Sequence, residues 1–374
     1  MWLVNHFAIP IHLKPIFASS HFTMLIKEVL QYLESIAPSS YQESYDNAGL
    51  IVGSPNWELT GTLLCLDSTE EVVEEAIATN CNLIIAHHPI VFKGLKRFNG
   101  NNYVERVVIK AIKADIAIYA IHTNLDNVYF NGVNAKIAKQ LGLKKTKILA
   151  PKQQLKKLVA YIPMNLTAKV RTALFEAGAG TLDHKKHLSY TSIGASNSAE
   201  NGAAKAKMEM TFPTAAQYRV QQTLCSLIPK KQLQYDIIPI ENSLPTVGSG
   251  MVGELSKTMK EVDFLTYLKK KMKVTCIKHT RLLGKPIKTV AVCGGAGGFL
   301  LKSAIRQQAD IFITADYKYH EFFDADGRII IADIGHYESE QFTMNLLSEL
   351  LKQNFRNFAA RITKVNTNPV EYYF

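Results

Sequence analysis

The sequence predicts an α/β protein in which a two-lobed domain is interrupted by a smaller inserted module. Between residues 24 and 150, and again between 256 and 374, short apolar runs alternate with amphipathic stretches, which is typical of a largely parallel sheet. Between 151 and 255 the predicted order becomes β-α-β-β-α-β, the ferredoxin-like pattern. Residues 1–23 show no amphipathic period, and we interpret them as a leader extension outside the fold.

The composition is that of a globular chain. At 374 residues and 47% hydrophobic content, the protein is long enough for two or three domains with real cores. No window approaches the roughly 18 uninterrupted apolar residues of a membrane span, and the first residues lack the features of a signal peptide. Five scattered cysteines without a C-x-x-C pair indicate neither a disulfide framework nor a thiolate zinc site. We therefore expect a cytoplasmic protein with no membrane partner.

The net charge of +11 is concentrated in the middle of the chain, where residues 151–275 hold 18 Lys and Arg against 9 Asp and Glu. The lysine clusters there lack interleaved aromatic residues. This favours a solvated basic face over an RNA-binding platform and disfavours a nucleic-acid partner, which would give steep salt dependence.

The first lobe begins with a helix near Met24 that ends at Pro38. Ser68 and Glu71 are predicted to cap the second helix, which runs to about Asn80. Strands are predicted at 61–67, 83–86 and 116–121, a helix at 103–114, and a further helix that follows residues 122–126 and runs through 141.

In the module, strands are predicted at 157–163, 187–193, 207–212 and 234–240, and helices at 166–176 and 215–227. A linker rich in Gly and Ser at 247–253 leads to the second lobe. That lobe is predicted to have a helix at 261–272, strands at 288–293, 310–314 and 329–333, and a final helix to about 353.

Two adjacent histidines, His87 and His88, end the apolar run at 83–86 and precede Pro89, which forbids further ladder pairing. They lie where a buried strand stops, the edge at which ligands bind in open α/β sheets, and imidazole is the commonest metal ligand among side chains. One histidine at a strand end is more often a hydrogen-bonded loop residue. Two in a row point to a site if other strand ends also carry ligand-type residues.

Four other predicted strand ends do carry such residues. Three imidazoles and two carboxylates form the candidate ligand set: His87, His88, His336, Asp126 and Glu340. Without sulfur, this set favours zinc, iron or manganese. Five groups exceed what one catalytic zinc takes and suit a pair of divalent ions. The remaining residues at these ends would orient the ligands or act as acid and base: Asp67, His122, Asp316 and His320. The alternative is a set of separate, hydrogen-bonded polar residues.

The glycine run 294–298 follows a strand and allows two interpretations. Its backbone N–H groups would suit a phosphate, but it completes neither G-x-G-x-x-G nor a Walker sequence, so close packing of a turn explains it equally well. Lys93, Lys96 and Arg97 either hold an anionic substrate or coat a loop.

Several motifs in order resemble the GTP cyclohydrolase I type 2 homologue family, also called Nif-three-like dinuclear-metal proteins. They are 45–53, 87–89, 122–126, 314–320 and 335–340, and the resemblance extends from about Met24 to Phe374. It implies two metal ions held by the five ligands, with Glu340 as the bridge, and a homohexameric toroid. It also implies that the inserted module is similar to the PII and CutA trimers. The leader and the loop at 195–206 depart from the family pattern.

The family name implies ring-opening hydrolysis of GTP, although membership is also compatible with other hydrolase activities and with a non-enzymatic role. Our leading hypothesis is a metal-dependent hydrolase of a nucleotide or other phosphorylated small molecule, with His122 or His320 moving protons. The rival is a metal-loaded regulatory or scaffold hexamer whose module binds an effector or partner.

Overall fold

The computed structural model describes residues 24–181, 186–194, 204–355 and 360–373. The predicted leader and residues 195–203 of the predicted variant loop lie outside these residues. The first segment of the chain contains α1 (Ile26–Ile36), β1 (Gly49–Val52), β2 (Thr62–Cys65), α2 (Glu70–Ala78), β3 (Leu83–Ala86), α3 (Tyr103–Lys113), β4 (Ala117–Ala120), α4 (Thr123–Asp126), α5 (Val133–Gln140) and β5 (Lys144–Lys152).

The middle segment follows the predicted order of elements. It contains β6 (Leu155–Pro163), α6 (Thr167–Glu176), β7 (Tyr190–Gly194), β8 (Lys205–Pro213), α7 (Gln217–Leu227) and β9 (Gln234–Ile240). The four strands form an antiparallel sheet in the order β7-β8-β6-β9. Alternate residues of β8 are buried, including Met208, Met210 and Phe212, and they share a core with Val170 of α6 and Val220 of α7.

The last segment completes the two larger sheets. It contains β10 (Leu244–Met259), α8 (Glu261–Met272), β11 (Lys278–His279), β12 (Ile287–Ala296), α9 (Leu301–Arg306), β13 (Ile311–Ala315), β14 (Ile330–Asp333), α10 (His336–Glu340), α11 (Thr343–Asn354) and β15 (Ala360–Ile362). No helix in the described ranges is both long and apolar enough to cross a membrane.

The larger sheets are mixed rather than purely parallel. The first has the order β1-β4-β3-β2-β15, with only β1 antiparallel to its neighbour. The second has the order β11-β14-β13-β12-β10-β5; β12, β13 and β14 are parallel, and the other pairings are antiparallel. One core cluster joins Leu64 and Ile85 of the first sheet to Val292 and Ile313 of the second. This shared core fixes the two sheets relative to each other.

Two helix predictions in the first lobe need correction. The N-cap of α2 is Thr69, whose side chain accepts a hydrogen bond from Val72 N, and not Ser68. The helix predicted to follow residues 122–126 begins only at Val133, as α5, and residues 123–126 themselves form a separate short helix, α4. Gly132 separates them, and a Cβ there would lie 2.2 Å from Val128 O. The chain turns so tightly at this point that only glycine fits.

The predicted Gly- and Ser-rich linker at 247–253 is also wrong, since these residues lie inside the long strand β10. At Gly248, which has a φ of +159°, a Cβ would lie 2.3 Å from Ala150 O on the neighbouring strand β5. At Gly250, which has a φ of +65°, a Cβ would lie 2.8 Å from a methyl group of Leu300. The glycines in this strand therefore serve close backbone approach rather than flexibility.

Candidate metal centre

The five predicted ligands meet between the two larger sheets. His87 and His88 follow β3, Asp126 ends α4 just beyond β4, and α10 after β14 carries His336 and Glu340. His87, His88 and Glu340 present ligand atoms that all lie within 4.8 Å of one another. The carboxyl ends of strands from both lobes thus face one crevice, as open α/β sheets generally arrange their sites.

His87 is fully buried and has a defined orientation. Its Nδ1 lies 2.8 Å from Ile121 O and donates to that carbonyl, which leaves Nε2 as the nitrogen with a free lone pair. Nε2 is 3.7 Å from Asp126 Oδ1 and 3.7 Å from Glu340 Oε1. Neither Nε2 nor Asp126 Oδ1 has a hydrogen-bond partner among the described residues, although both atoms are buried. Two buried polar atoms that face each other without hydrogen-bonding partners suit a bound cation.

A second group of atoms surrounds the other oxygen of Glu340. His88 Nε2 lies 2.9 Å and His336 Nε2 3.2 Å from Glu340 Oε2, and the two nitrogens are 3.3 Å apart. The far nitrogen of each ring is held by a carboxylate, at 2.8 Å from Asp67 Oδ1 for His88 and 2.7 Å from Asp316 Oδ2 for His336. Carboxylates in this position orient metal-binding histidines. The two oxygens of Glu340 therefore face two different sets of donors.

The pKa shifts in the crevice favour protonated imidazoles and an ionised Glu340. Burial alone would lower the pKa of His88, but hydrogen bonds to Asp67 and Glu340 raise it to about 10. For His336, burial is likewise outweighed by Glu340 and Asp316, which raise its pKa to about 9. Burial would raise the pKa of Glu340, yet His87 and the neighbouring imidazoles hold it well below its usual range. Without an ion, protonated imidazoles balance the negative charge of Glu340; a divalent cation would have to displace these protons and would then take over that role.

The glycine run lies against the candidate ligands rather than in a loop. Gly294, Gly295 and Ala296 belong to β12. A Cβ on Gly295 would lie 2.5 Å from Glu340 Oε1 and 3.3 Å from His336 Nε2. The backbone N–H of Gly295 donates to Ser339 Oγ at 2.9 Å. Of the two interpretations of the run, the structure supports close packing.

The two predicted proton-transfer residues have very different surroundings. His122 lines the crevice and donates from Nδ1 to Asp46 Oδ1 at 2.8 Å, while Thr123 donates to the other oxygen of Asp46 through both its hydroxyl and its backbone N–H. His320 is exposed, packs edge-on against Tyr319 and is not among the described residues that line the crevice. Lys93, Lys96 and Arg97 are also exposed and do not line it.

The candidate ligands open into a cavity of about 780 Å³ whose walls include aromatic and acidic residues. Its exposed aromatic residues are Tyr45, Phe92, Tyr103, Phe299 and Tyr372. The end of the chain, including Asn368 and Val370, forms part of the wall.

The sequence pattern indicated no role for Asp46 or for the end of the chain, and it left the role of Gly295 open between phosphate binding and close packing. Asp46 stood only inside a motif, and nothing local indicated a partner 76 residues away.

The comparisons with known proteins agree with this architecture. The profile of the family described as Duf34/NIF3 (NGG1p interacting factor 3) matches residues 24–369. The Bacillus subtilis protein named GTP cyclohydrolase 1 type 2 homolog is 32% identical over 366 residues, which cover 92% of this chain and 98% of that protein. The crystal structure of a Bacillus cereus protein related to NIF3 superposes with a TM-score of 0.78 at 32% identity, covering 94% of this chain and all of that one. A Staphylococcus aureus structure gives a TM-score of 0.75 at 31% identity, covering 94% of this chain and 99% of its own.

Proposed function

The chain belongs to the Duf34/NIF3 family, and on that premise we propose that it is a metal-dependent hydrolase of a nucleotide or another phosphorylated small molecule. One observation carries this proposal: His87 Nε2 and Asp126 Oδ1 are buried, 3.7 Å apart and without a hydrogen-bond partner in the part of the chain that the structure describes. Such atoms are costly to bury unless a cation satisfies them.

In this proposal two divalent ions of the zinc, iron or manganese type are held by His87, His88, Asp126, His336 and Glu340. Glu340 would be shared by both ions, because its two carboxylate oxygens face different donors. When bound, such ions supply Lewis acidity, which polarises a substrate oxygen and makes water more acidic. Asp67 and Asp316 keep the His88 and His336 rings aimed at the centre.

The chain's own contribution to proton transfer is assigned first to His122. Its Nδ1–H is committed to Asp46, so Nε2 is the nitrogen that accepts a proton from a group in the cavity. His320 is the second candidate, although its exposed position makes it the weaker one. The aromatic residues in the cavity wall suit the planar base of a nucleotide. GTP is the first substrate to try, because the Bacillus subtilis relative is named GTP cyclohydrolase 1 type 2 homolog.

The test is turnover of GTP and a broad nucleotide panel by protein loaded with Zn²⁺, Mn²⁺ or Fe²⁺. His87→Ala is expected to abolish metal retention and turnover. His279→Ala, an exposed histidine outside the cavity, serves as the matched control and should change neither. The proposal would be overturned if the metal-loaded protein hydrolysed none of the nucleotides and His87→Ala changed only the stability of the fold.

A second function is favoured by the position of the middle segment. None of its described residues between 155 and 240 lines the cavity. We propose three units: 24–150, an inserted ferredoxin-like module of the PII/CutA type at 151–255, and 256–374. In this alternative the module binds an effector or partner on a metal-loaded regulatory or scaffold protein. Ligand-dependent thermal shifts that survive removal of the metals would favour it.

The remaining parts of the proposal concern assembly and compartment. A homohexameric toroid is expected from the family, and light scattering coupled to gel filtration tests it. A cytoplasmic location accords with five free cysteines, which a reducing compartment maintains. Elemental analysis with anomalous scattering would name the ions and count them.

A further inference from the structure

Residues near the end of the chain line part of the cavity and hydrogen-bond to both lobes. We call residues 363–373 the C-terminal tail. It leaves β15 at the edge of the first sheet, where the hydroxyl of Thr363 and the N–H of Lys364 donate to Glu75. Farther on, Asn368 donates to Glu338 Oε1 of α10 at 3.2 Å. Between these anchors lies Thr367, whose hydroxyl donates to Asp67 Oδ2 at 2.8 Å.

We propose that Thr367 is a positioning residue of the metal centre, acting through Asp67 on His88. This inference rests on the metal site of the proposed function. It adds that a residue 300 positions from Asp67 in sequence sets the affinity of that site.

The contacts of Asp67 form a relay. One oxygen accepts from His88 Nδ1 at 2.8 Å and the other from Thr367 at 2.8 Å. The Asp67 side chain is 37% exposed, so packing alone does not hold it. Within the described ranges, the Thr367 hydroxyl is the one hydrogen-bond partner of Oδ2. Removing it frees the carboxylate to rotate toward solvent, which loosens the ring that presents Nε2 to Glu340.

The tail supplies its own control. Thr363 makes the same kind of hydroxyl-to-carboxylate hydrogen bond to Glu75, which is not bonded to any of the candidate ligands. Thr363→Val therefore removes a tail anchor of equal chemistry without touching the relay. An effect confined to Thr367 would separate positioning from general attachment of the tail.

The experiment measures Co²⁺ affinity by chelator competition, and the Co²⁺ absorption spectrum, in the full-length wild type and its variants. Thr367→Val and Thr367→Ala are each expected to weaken Co²⁺ binding about tenfold and to shift the absorption spectrum. A tenfold loss of affinity is typical for residues that orient metal ligands. Thr367→Ser should restore both to wild-type values, and Thr363→Val should leave both unchanged. In an Asp67→Asn background, Thr367→Val should have no further effect. Urea unfolding of the metal-free variants checks that each one folds.

Equal Co²⁺ affinity in wild type and Thr367→Val would overturn the inference, as would an equal loss in Thr363→Val or additive losses in the double variant. A wild-type protein that binds no Co²⁺ would overturn both this inference and the proposed metal site. Wild-type protein that binds the ion but hydrolyses nothing removes only the hydrolase proposal.

Discussion

Adding one methyl group at Gly295 should disable the proposed metal centre. The new Cβ would lie 2.5 Å from Glu340 Oε1, whereas ordinary contacts begin at 3.4 Å. The carboxylate must therefore retreat by roughly 0.9 Å, while metal–ligand distances tolerate only about 0.2 Å. We expect Gly295→Ala to weaken metal binding about 100-fold, or about 2.7 kcal/mol. The φ of +63° adds a backbone cost of about 1 kcal/mol to folding.

Isothermal titration with Zn²⁺ and urea unfolding of the metal-free protein separate these two effects. Gly327→Ala is the matched control, because Gly327 has a φ of +65° and no atom within 4 Å of the added Cβ. Both variants should lose similar backbone stability, but only Gly295→Ala should lose Zn²⁺ affinity. If the two variants bind Zn²⁺ equally well, the close approach of β12 to Glu340 does not shape the site.

Three further predictions concern the same cavity. Burial would raise the pKa of Asp46, but hydrogen bonds from His122 and Thr123 lower it to about 2 from 3.8. A carboxyl group whose pKa is lowered by folding stabilises the folded state at pH values above its unfolded pKa. In urea titrations, Asp46→Asn should therefore lower the free energy of unfolding by about 2 kcal/mol at pH 7. This difference from the wild type should disappear as the pH falls from about 5 to about 2. His122→Asn should reduce any nucleotide turnover at least about 100-fold in steady-state assays, and His320→Asn should barely change it. Of these two histidines, His122 lines the cavity and His320 does not. Removing metal ions with a chelator should lower the melting temperature measured by calorimetry. Adding the ions back at 100 times their Kd should raise the free energy of unfolding by about 2.7 kcal/mol. An unchanged melting temperature would contradict metal binding by the native protein.

The sequence predicted the strand ends well because their signals are local. Short apolar runs set β3, β13 and β14, and the strand predicted at 234–240 is confirmed as β9. The family resemblance is confirmed as well. That His87, His88, Asp126, His336 and Glu340 are ligands stays a prediction, now supported by their convergence on one crevice.

Predictions from glycine content were wrong or undecided where the glycines allow close packing. The stretch at 247–253 reads as a linker because Gly and Ser are frequent in flexible loops, yet its glycines let β10 approach β5 and Leu300. The run at 294–298 also allows a phosphate-binding interpretation, because it follows a strand and offers backbone N–H groups, yet its Gly295 packs against Glu340 and His336. A glycine in sequence does not tell which atom occupies the space that its missing side chain leaves.

The sequence by itself determined which residues end buried strands and which of them carry metal-binding chemistry, because hydrophobic periodicity and residue type are properties of neighbouring positions. Only the tertiary structure decided which carboxylate holds which imidazole: Asp67 with His88, Asp316 with His336, and Asp46 with His122. It alone brought Thr367 to Asp67 and Gly295 to Glu340. Such pairs depend on how the two sheets pack through their shared core, and contacts between residues distant in the chain leave no local pattern in sequence.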